Sequence, residues 1–406
     1  MGAVPRMPTL KLRRPLERAV HRGHPWLYAD ALDRRGSTGD VVTVLDRRGR
    51  FLARGIATDG PIAVRVLTTM DEPIDEAFFQ RRITAAATLR DRVVPPNTNA
   101  YRLLHGEGDR LAGVVVDVYG SAAVLRFDAD GIAKHEETLV GPLLEVLAAR
   151  GVKTLLRKTG RGPDTRVETI TGEPPDTVAV TEHGMILLGD LARGQKTGLF
   201  LDHRESRKLV RDLAEGLRVL NLYGYTGGFS VAAGLGGAKH VDTVDLAGPA
   251  IDLANETWLR NGLPPEAHRG HRGDVRAFLD EAQSKTWDLI VADPPSFAPR
   301  HDARDNALAT YEKLHQACFA RLEVGGYYLA GSCSSHITRD DFDGTLEEGA
   351  RRARCVTQVL GRWGAPADHP RLSAFPEGDY LKESLLRIID CGPRDVGRSG
   401  SARTRG

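Results

Sequence analysis

Residues 217–230 read Leu-Arg-Val-Leu-Asn-Leu-Tyr-Gly-Tyr-Thr-Gly-Gly-Phe-Ser. The short apolar run at residues 219–222 predicts a buried parallel strand. A glycine-rich turn follows at residues 224–228, and a helical segment is expected from residue 229 to residue 233. Strand, glycine turn and helix form the opening unit of a doubly wound nucleotide-binding fold, because glycine lets backbone approach a ligand where a Cβ would collide.

Further strand-like segments follow this unit, and polar residues come at their ends. The run at residues 240–244 is followed by Asp245, and a carboxylate about 20 residues after the glycine turn suits hydrogen bonding to ribose hydroxyls. Later come Gly273-Asp274-Val275, a run at 287–292 that leads into Asp293-Pro-Pro-Ser-Phe297, and a run at 327–330 that leads into Gly331-Ser-Cys-Ser-Ser-His336. Open α/β sheets bind ligands at the carboxyl ends of their strands, so one shared site is expected. The Gly-x-x-Gly-Gly spacing differs from the dinucleotide motif G-x-G-x-x-G.

These motifs carry a family resemblance. Residues 217–336 resemble class I S-adenosylmethionine-dependent methyltransferases. Roughly residues 8–391 are similar to the bacterial 23S ribosomal RNA large-subunit methyltransferase I family, which makes 5-methylcytosine. The chain departs from many methyltransferases at Asn221, where they carry an acidic residue. The narrower resemblance rests on Arg22-Gly-His-Pro-Trp26, Glu182-His-Gly-Met185, residues 194–204, Asp368-His-Pro370 and Pro376-Glu-Gly378.

Composition limits the classes of protein that the chain can be. Its 406 residues suggest two or three domains, and no apolar run reaches the roughly 18 residues of a membrane helix. The first 14 residues contain no apolar signal-peptide core, so a cytoplasmic protein is expected. Four cysteines argue against a disulfide scaffold, and none is spaced as C-x-x-C, so neither a zinc site nor any other metal is expected. The sequence leaves a homodimer open.

Charge is distributed unevenly along the chain. Residues 1–70 contain 13 Lys and Arg against 6 Asp and Glu, whereas the net charge of the whole chain is only +2. A basic N-terminal segment on a nearly neutral protein favours a nucleic-acid contact surface. The alternative is an arginine-rich face that is merely solvated.

Four regions are expected. Short β-like runs in residues 1–72 suit a small β-barrel, which the resemblance makes a PUA-like RNA-binding domain. Residues 73–185 are expected to form an α+β middle domain, and residues 186–391 the Rossmann-like methyltransferase domain of α/β class. Residues 392–406, rich in Arg, Gly and Ser, are expected to be a disordered tail.

The resemblance implies S-adenosylmethionine as cofactor and ribosomal RNA, 23S in particular, as partner. Asp245 suits the ribose, Asp274 and Val275 suit the adenine, and the glycine turn suits the charged amino-acid end. Helix capping is the alternative role for Asp245 and Asp274, and a structural linker is the alternative for Phe200 and Asp202. The full expected cofactor set is Phe200, Asp202, Tyr223, Tyr225, Thr226, Gly227, Gly228, Asp245, Leu246, Asp274, Val275, Asp293 and Pro294.

Cys333 is the expected nucleophile, with Asp293 as its catalytic partner. Cytosine C5 is a poor nucleophile, and a thiolate that adds at C6 makes C5 able to accept a methyl group. Cys333 matches the position where 5-methylcytosine RNA enzymes carry this cysteine, whereas Cys318, Cys355 and Cys391 are expected to be buried fillers. The residues expected to contact the substrate are Pro295, Phe297, Lys196, His24 and Trp26, although Trp26 suits a core anchor equally well.

Two other functions fit parts of this pattern. One is a methyltransferase acting on guanine or on an exocyclic amine, but enzymes of the exocyclic-amine type usually place an aromatic residue directly after the two prolines, where this chain has Ser296. The other is a non-catalytic RNA-binding or ribosome-assembly factor. Intact Asp245, Asp293 and Cys333 argue against that second alternative.

Overall fold

The computed structural model describes residues 7–160, 162–282, 285–298 and 301–392. They belong to two compact units. The first contains residues up to 184 with segments 189–203 and 366–379, and the second contains segments 185–188, 204–365 and the chain from residue 380. From residue 393 the predicted tail lies outside the described residues. The domain boundaries given above remain predictions.

The first unit begins with a five-stranded sheet in the order β1-β3-β4-β5-β2. Alternate residues of β3 are buried, as expected for a strand with one face on a core. An isolated bridge between Leu12 and Leu32 joins the segment after β1 to the segment after β2, so the two edges of the sheet meet and the sheet curls. The elements are β1 (Thr9–Lys11), α1 (Glu17–His21), β2 (Trp26–Tyr28), β3 (Val41–Leu45), β4 (Phe51–Ala57) and β5 (Ile62–Thr68).

The same unit continues with a second five-stranded sheet, ordered β10-β9-β8-β7-β6. Phe78, Phe79 and Ile83 of helix α2 are fully buried in a core shared with this sheet. Asp75 caps α2 by accepting a hydrogen bond from the backbone N–H of Phe78 at 2.9 Å. The elements are α2 (Glu76–Val93), β6 (Ala100–His105), β7 (Val114–Tyr119), β8 (Ala122–Phe127), α3 (Asp130–Ala133), α4 (Glu136–Ala148), β9 (Thr154–Thr159), β10 (Arg166–Thr171) and β11 (Val178–Glu182); β12 (Met185–Gly189) follows.

The second unit is built on a seven-stranded sheet in the order β15-β14-β13-β16-β17-β19-β18. The strands β15, β14, β13, β16 and β17 run parallel, whereas β19 is antiparallel to both of its neighbours. The elements are α5 (Arg204–Leu213), β13 (Arg218–Leu222), α6 (Gly228–Leu235), β14 (His240–Asp245), α7 (Gly248–Arg260), β15 (His268–Arg272), α8 (Val275–Glu281), β16 (Trp287–Ala292), α9 (Arg304–Phe319), β17 (Leu322–Ser332), α10 (Arg339–Arg352), β18 (Cys355–Trp363) and β19 (Lys382–Cys391).

Helices cover both faces of this sheet. One core joins the strands to Val275, Tyr311 and Phe342, which lie on α8, α9 and α10. The other core contains Val231 of α6 and Trp258 of α7. Central parallel strands buried on both faces require continuous apolar runs, which is why the sequence signals them well. The α/β fold class is confirmed.

The cysteines require one correction. Cys355 and Cys391 face each other in the register of β18 and β19 and form a disulfide with 4.1 Å between their Cα atoms. They are therefore not unpaired fillers, as the sequence analysis expected. Among the described residues, neither Cys318 nor Cys333 takes part in a disulfide. None of the helices that the structure describes is both long and apolar enough to cross a bilayer.

Candidate cofactor and substrate site

The turn between β13 and α6 has an unusual backbone. Tyr223 and Tyr225 have φ values of 57° and 46°, and Gly227 has a φ of 78°. Left-handed conformations at non-glycine residues cost about 1–3 kcal/mol each and cluster at ligand-binding sites. A Cβ at Gly227 would lie 2.8 Å from the Cβ of Ala254, so only glycine fits there. The turn is thus held in a conformation that the surrounding structure must enforce.

The start of α6 fits the carboxylate of S-adenosylmethionine. Among the described side chains none makes a capping hydrogen bond at the start of this helix, which begins directly after the glycine turn. Helix N-termini of this kind bind anionic groups. The cofactor contacts expected at this turn remain predictions. They are Tyr223, Tyr225, Thr226, Gly227 and Gly228.

Asp245 lies beside the turn because Leu222 of β13 pairs with Val244 of β14. Its two oxygens accept hydrogen bonds from the backbone N–H groups of Tyr225 and Ala247, each at 2.9 Å. A carboxylate oxygen has two lone pairs, so each oxygen keeps capacity for a ribose hydroxyl. Leu246 is 72% exposed beside it. Asp245 therefore supports the turn and is placed for the predicted diol contact.

Asn221 has a structural role. It is buried, and its side-chain amide donates to the hydroxyl of Ser230 at 2.8 Å. The Ser230 hydroxyl lies 2.6 Å from that of Thr243, which lies 2.7 Å from a ring nitrogen of His268. This buried chain ties β13, α6, β14 and β15 together below the glycine turn. Asn221, where the chain departs from the family pattern, thus belongs to the buried hydrogen-bonded chain that supports the glycine turn.

Asp274 and Val275 lie at the end of β15. Asp274 is exposed and accepts a hydrogen bond from the backbone N–H of Ala277 at 3.0 Å, so it caps α8. The backbone N–H of Gly273 donates to the carbonyl of Asp245 at 3.0 Å, which brings this loop against the end of β14. Val275 is buried in the core. Capping is therefore present at Asp274, and its contact with adenine remains a prediction.

Asp293 and Cys333 follow neighbouring strands. Ala292 of β16 pairs with Ala330 of β17, so the two loops leave the sheet side by side. A Cβ at Gly331 would lie 2.6 Å from Oδ1 of Asp293, which shows how closely the two loops approach. The hydroxyls of Ser296 and Ser334 lie 3.2 Å apart and join the loops a second time.

Cys333 differs from its neighbours in exposure. Ser332 and Ser334 are fully buried, whereas Cys333 between them is partly exposed. Cys318 is fully buried on α9, and burial raises the pKa of its thiol to about 12. In the same region Pro294 is buried, Pro295 is exposed, and the ring of Phe297 lies 4.8 Å from that of Tyr311.

Two supporting residues were missed by the sequence analysis. The hydroxyl of Tyr311 lies 2.9 Å from that of Ser332 and 3.0 Å from that of Ser334. Burial, aided by the charges of Cys333 and Asp293, raises the pKa of Tyr311 to about 12, so the phenol stays protonated. The ammonium of Lys382 donates to the carbonyl of Ser334 at 2.9 Å. Neither residue has a local sequence signal, because each lies more than 15 residues from Cys333.

Lys196, Phe200 and Asp202 belong to the first unit. The Lys196 ammonium lies 2.7 Å from Oδ2 of Asp202 and 4.4 Å from the centre of the Phe200 ring. Burial alone would raise the pKa of Asp202, but the charges of Lys196, His203 and His369 outweigh it and hold that pKa well below its usual range. The three residues thus form one cluster around a buried carboxylate, and their contacts with ligands remain predictions.

His24 and Trp26 also lie in the first unit. The Trp26 indole N–H donates to Glu107 at 2.8 Å, and its ring packs edge-on against Phe375 at 4.6 Å. His24 lies 5.7 Å from the same ring. The motif at residues 22–26 therefore packs on the segment near residues 376–378, as suits an anchor for Trp26. Base stacking on His24 and Trp26 remains a prediction.

The seven-stranded sheet and its strand-end site define the second unit as a class I methyltransferase domain. The family of S-adenosylmethionine-dependent methyltransferases matches residues 136–381, and a PUA-like domain matches residues 10–69. S-adenosylmethionine is accordingly the cofactor. A Streptococcus mutans chain described as a SAM-dependent methyltransferase has the same fold, with a TM-score of 0.83 and 23% identity over 94% of this chain and 100% of that one. A further solved structure, described as a methyltransferase complexed with SAH, gives a TM-score of 0.84 at 23% identity, with the same coverage of both chains.

Curated relatives narrow the class. Ribosomal RNA large subunit methyltransferase I of Alteromonas mediterranea is 34% identical over 92% of this chain and 97% of its own length. The protein of the same name from Erwinia tasmaniensis is 34% identical over 94% of this chain and 99% of its own. The chain belongs to the ribosomal RNA large subunit methyltransferase I family.

Proposed function

We propose that the protein methylates C5 of a cytosine in large-subunit (23S) ribosomal RNA through a covalent bond between Cys333 and C6 of the base. The observation that carries the proposal is the placement of Asp293 and Cys333 at the ends of paired strands, in loops joined through Ser296 and Ser334. The names of the relatives and the basic segment at residues 1–70 support ribosomal RNA as substrate.

The chemistry requires the base outside its stack, as for other enzymes that act on base atoms. The Cys333 thiolate attacks C6, a sulfur–carbon bond forms, and the electron pair of the C5–C6 double bond moves toward C5 and the N3 side of the ring. A protonated Asp293 would donate a hydrogen bond to N3 and stabilise the negative charge that develops there. S-adenosylmethionine supplies the methyl group that C5 accepts. Loss of the C5 proton to a base and departure of the thiolate then restore the double bond.

The surroundings of Cys333 suit this role. Because Cys333 is partly exposed, its thiol is accessible to a cytosine. The buried hydroxyls of Ser332 and Ser334 contact the hydroxyl of Tyr311, which fixes the backbone on both sides of Cys333. Cys318, the other cysteine outside the disulfide, is buried, and burial raises the pKa of its thiol to about 12, which disfavours the nucleophilic thiolate at neutral pH.

The test is the identity of the methylated nucleoside. Wild-type protein is incubated with unmodified large-subunit ribosomal RNA and labelled S-adenosylmethionine, and the digested RNA is analysed by mass spectrometry. Cys333→Ala should lower methyl transfer by at least about a thousandfold, as for loss of other catalytic nucleophiles. Cys318→Ala is the matched control and should retain activity.

The competing functions give different results. Methylguanosine or N4-methylcytidine as the product would favour transfer to a ring or exocyclic nitrogen. Full activity of Cys333→Ala would show that the thiol is structural. Binding of RNA and cofactor without any methyl transfer would favour the assembly-factor alternative.

A further inference from the structure

A group of ten charged residues lies in the first unit around α2 and the turn at residues 106–110. We call it the arginine cluster. It contains six guanidinium groups and four carboxylates, so positive charge exceeds negative charge by two. The members are Arg54, Arg65, Arg81, Arg82, Arg90, Arg110, Asp71, Glu72, Glu107 and Asp109.

Each carboxylate of the cluster is already paired with one arginine. Asp71 pairs with Arg54, and Glu107 pairs with Arg65. Glu72 accepts from Arg81 at 2.6 Å. Asp109 accepts two hydrogen bonds from Arg90, at 2.6 and 2.8 Å. Arg82 and Arg110 do not belong to any of these four ion pairs.

Arg82 and Arg110 have an unusual environment. In the part of the chain that the structure describes, neither guanidinium makes a hydrogen bond or an ion pair, although both side chains are half-buried. Burial and the nearby charges of Arg110 and Arg81 lower the pKa of Arg82, and burial lowers the pKa of Arg110. The charge of Glu72 opposes both pKa shifts. Like charges kept partly from water destabilise the folded chain unless anions compensate them. The nearby carboxylate of Glu72 also accepts a hydrogen bond from Arg81, so it cannot neutralise both guanidinium groups.

The structure also fixes the position of both side chains. Arg110 has a left-handed backbone with a φ of 57°, directly after the turn that Asp109 and Glu107 anchor. The Arg82 guanidinium lies over the Phe78 ring at 5.2 Å from its centre. Arg110 lines a small open pocket together with Gly23 and His24. Glu107 lines the same pocket, but its charge is balanced by Arg65 and its oxygen accepts from Trp26.

We propose that Arg82 and Arg110 form a binding site for a backbone phosphate of the RNA substrate. Both arginines lie outside the basic segment at residues 1–70. Guanidinium groups present paired N–H donors that match phosphate oxygens, and they shed water more readily than an ammonium. The proposal rests on RNA being the substrate, and it does not depend on which base atom is methylated.

The test measures RNA affinity as a function of salt for Arg82→Gln, Arg110→Gln and the double variant. The probe is protein-free large-subunit ribosomal RNA, titrated with the full chain between about 50 and 200 mM KCl. Loss of one phosphate contact should reduce the slope of log K against log salt by roughly 0.7–0.9 and weaken binding about five- to tenfold. Arg92→Gln is the matched control, because Arg92 is an exposed arginine on the same helix.

Two further readouts separate binding from folding. Cofactor affinity should stay unchanged in every variant, since neither arginine belongs to the predicted cofactor set. The melting temperature without RNA should be unchanged or higher, because the substitution removes a like-charge contact. If the glutamine variants fail to fold, Arg82→Lys and Arg110→Lys keep the charge and should still weaken RNA binding through loss of the paired donors.

The outcomes are distinct. RNA affinity and salt slope equal to those of Arg92→Gln would overturn the proposal, as would unchanged affinity in folded lysine variants. Weaker, less salt-dependent RNA binding by Arg82→Gln and Arg110→Gln together with no 5-methylcytosine from wild-type protein would support the phosphate site and overturn only the proposed chemistry. RNA binding by the wild type without any salt dependence would overturn the phosphate site and leave the proposed chemistry untouched.

Discussion

Asp245 shows how one side chain can serve both the fold and the site. Its two oxygens accept from Tyr225 and Ala247, so the carboxylate fixes the strained turn before any ligand binds. The helix-capping alternative of the sequence analysis does not describe Asp245, because no described side chain caps α7 and the backbone donors that the carboxylate satisfies precede that helix. The contact of Asp245 with the ribose of the cofactor remains a prediction.

Replacing Asp245 with Ala is expected to weaken S-adenosylmethionine binding by about 1–3 kcal/mol, because a hydrogen bond to a charged group is lost and the turn loses support. Isothermal titration calorimetry measures the change. Asp252→Ala is the control, since Asp252 is an exposed carboxylate on α7 close in sequence to Asp245. Equal cofactor affinity in the two variants would remove Asp245 from the site.

At the scale of secondary structure, the loops after β16 and β17 hold the residues of the proposed chemistry. Parallel pairing of Ala292 with Ala330 places two loops together that are about 40 residues apart in sequence. Gly331 makes the close approach possible, because any larger residue would meet Asp293. Glycine is required at position 331 by the lack of space for a side chain and not by the backbone conformation, since Gly331 is not among the residues with positive φ.

Gly331→Ala should therefore displace Asp293 and lower methyl transfer at least about tenfold, with an overpacking cost of about 1–3 kcal/mol in stability. Steady-state assays and thermal unfolding measure the two effects. Gly344→Ala on α10 is the matched control, because its new Cβ meets nothing within 4 Å. That control should gain roughly 0.5–1 kcal/mol in stability and keep full activity. A Gly331→Ala variant as active as Gly344→Ala would show that the close approach of the two loops does not matter.

Local signals made the second unit predictable at this scale. The run at 287–292 coincides with β16, and the runs at 219–222 and 240–244 each miss one residue of β13 and β14. Buried parallel strands and a glycine turn leave continuous marks in sequence. Tyr311 and Lys382 left none, because their contacts with Ser334 depend on how α9 and β19 pack on the sheet. The pairing of Cys355 with Cys391 was missed for the same reason, since 36 residues separate them.

Over the whole molecule, charge and motifs are spread across two units. The sequence predicted a basic N-terminal segment, but it did not predict that Arg65 and Trp26 of that segment bind Glu107. Deleting residues 1–72 would leave Glu107 without these partners and would damage the first unit beyond the loss of charge. Single substitutions such as Arg110→Gln are therefore the sharper means of locating RNA contacts.

The proposed activity requires the cofactor turn, Asp293 and Cys333 to act on the same base. The most direct measurement uses ribosomal RNA transcribed with 5-fluorocytidine in place of cytidine, incubated with the full chain and S-adenosylmethionine. Fluorine cannot leave C5 as a proton does, so the thiolate stays attached to C6. We expect a denaturation-resistant protein–RNA adduct whose tryptic peptide carries the nucleotide on Cys333, present in Cys318→Ala and absent in Cys333→Ala. An adduct on another residue would contradict the account, as would the absence of any adduct from protein that forms 5-methylcytosine in unsubstituted ribosomal RNA.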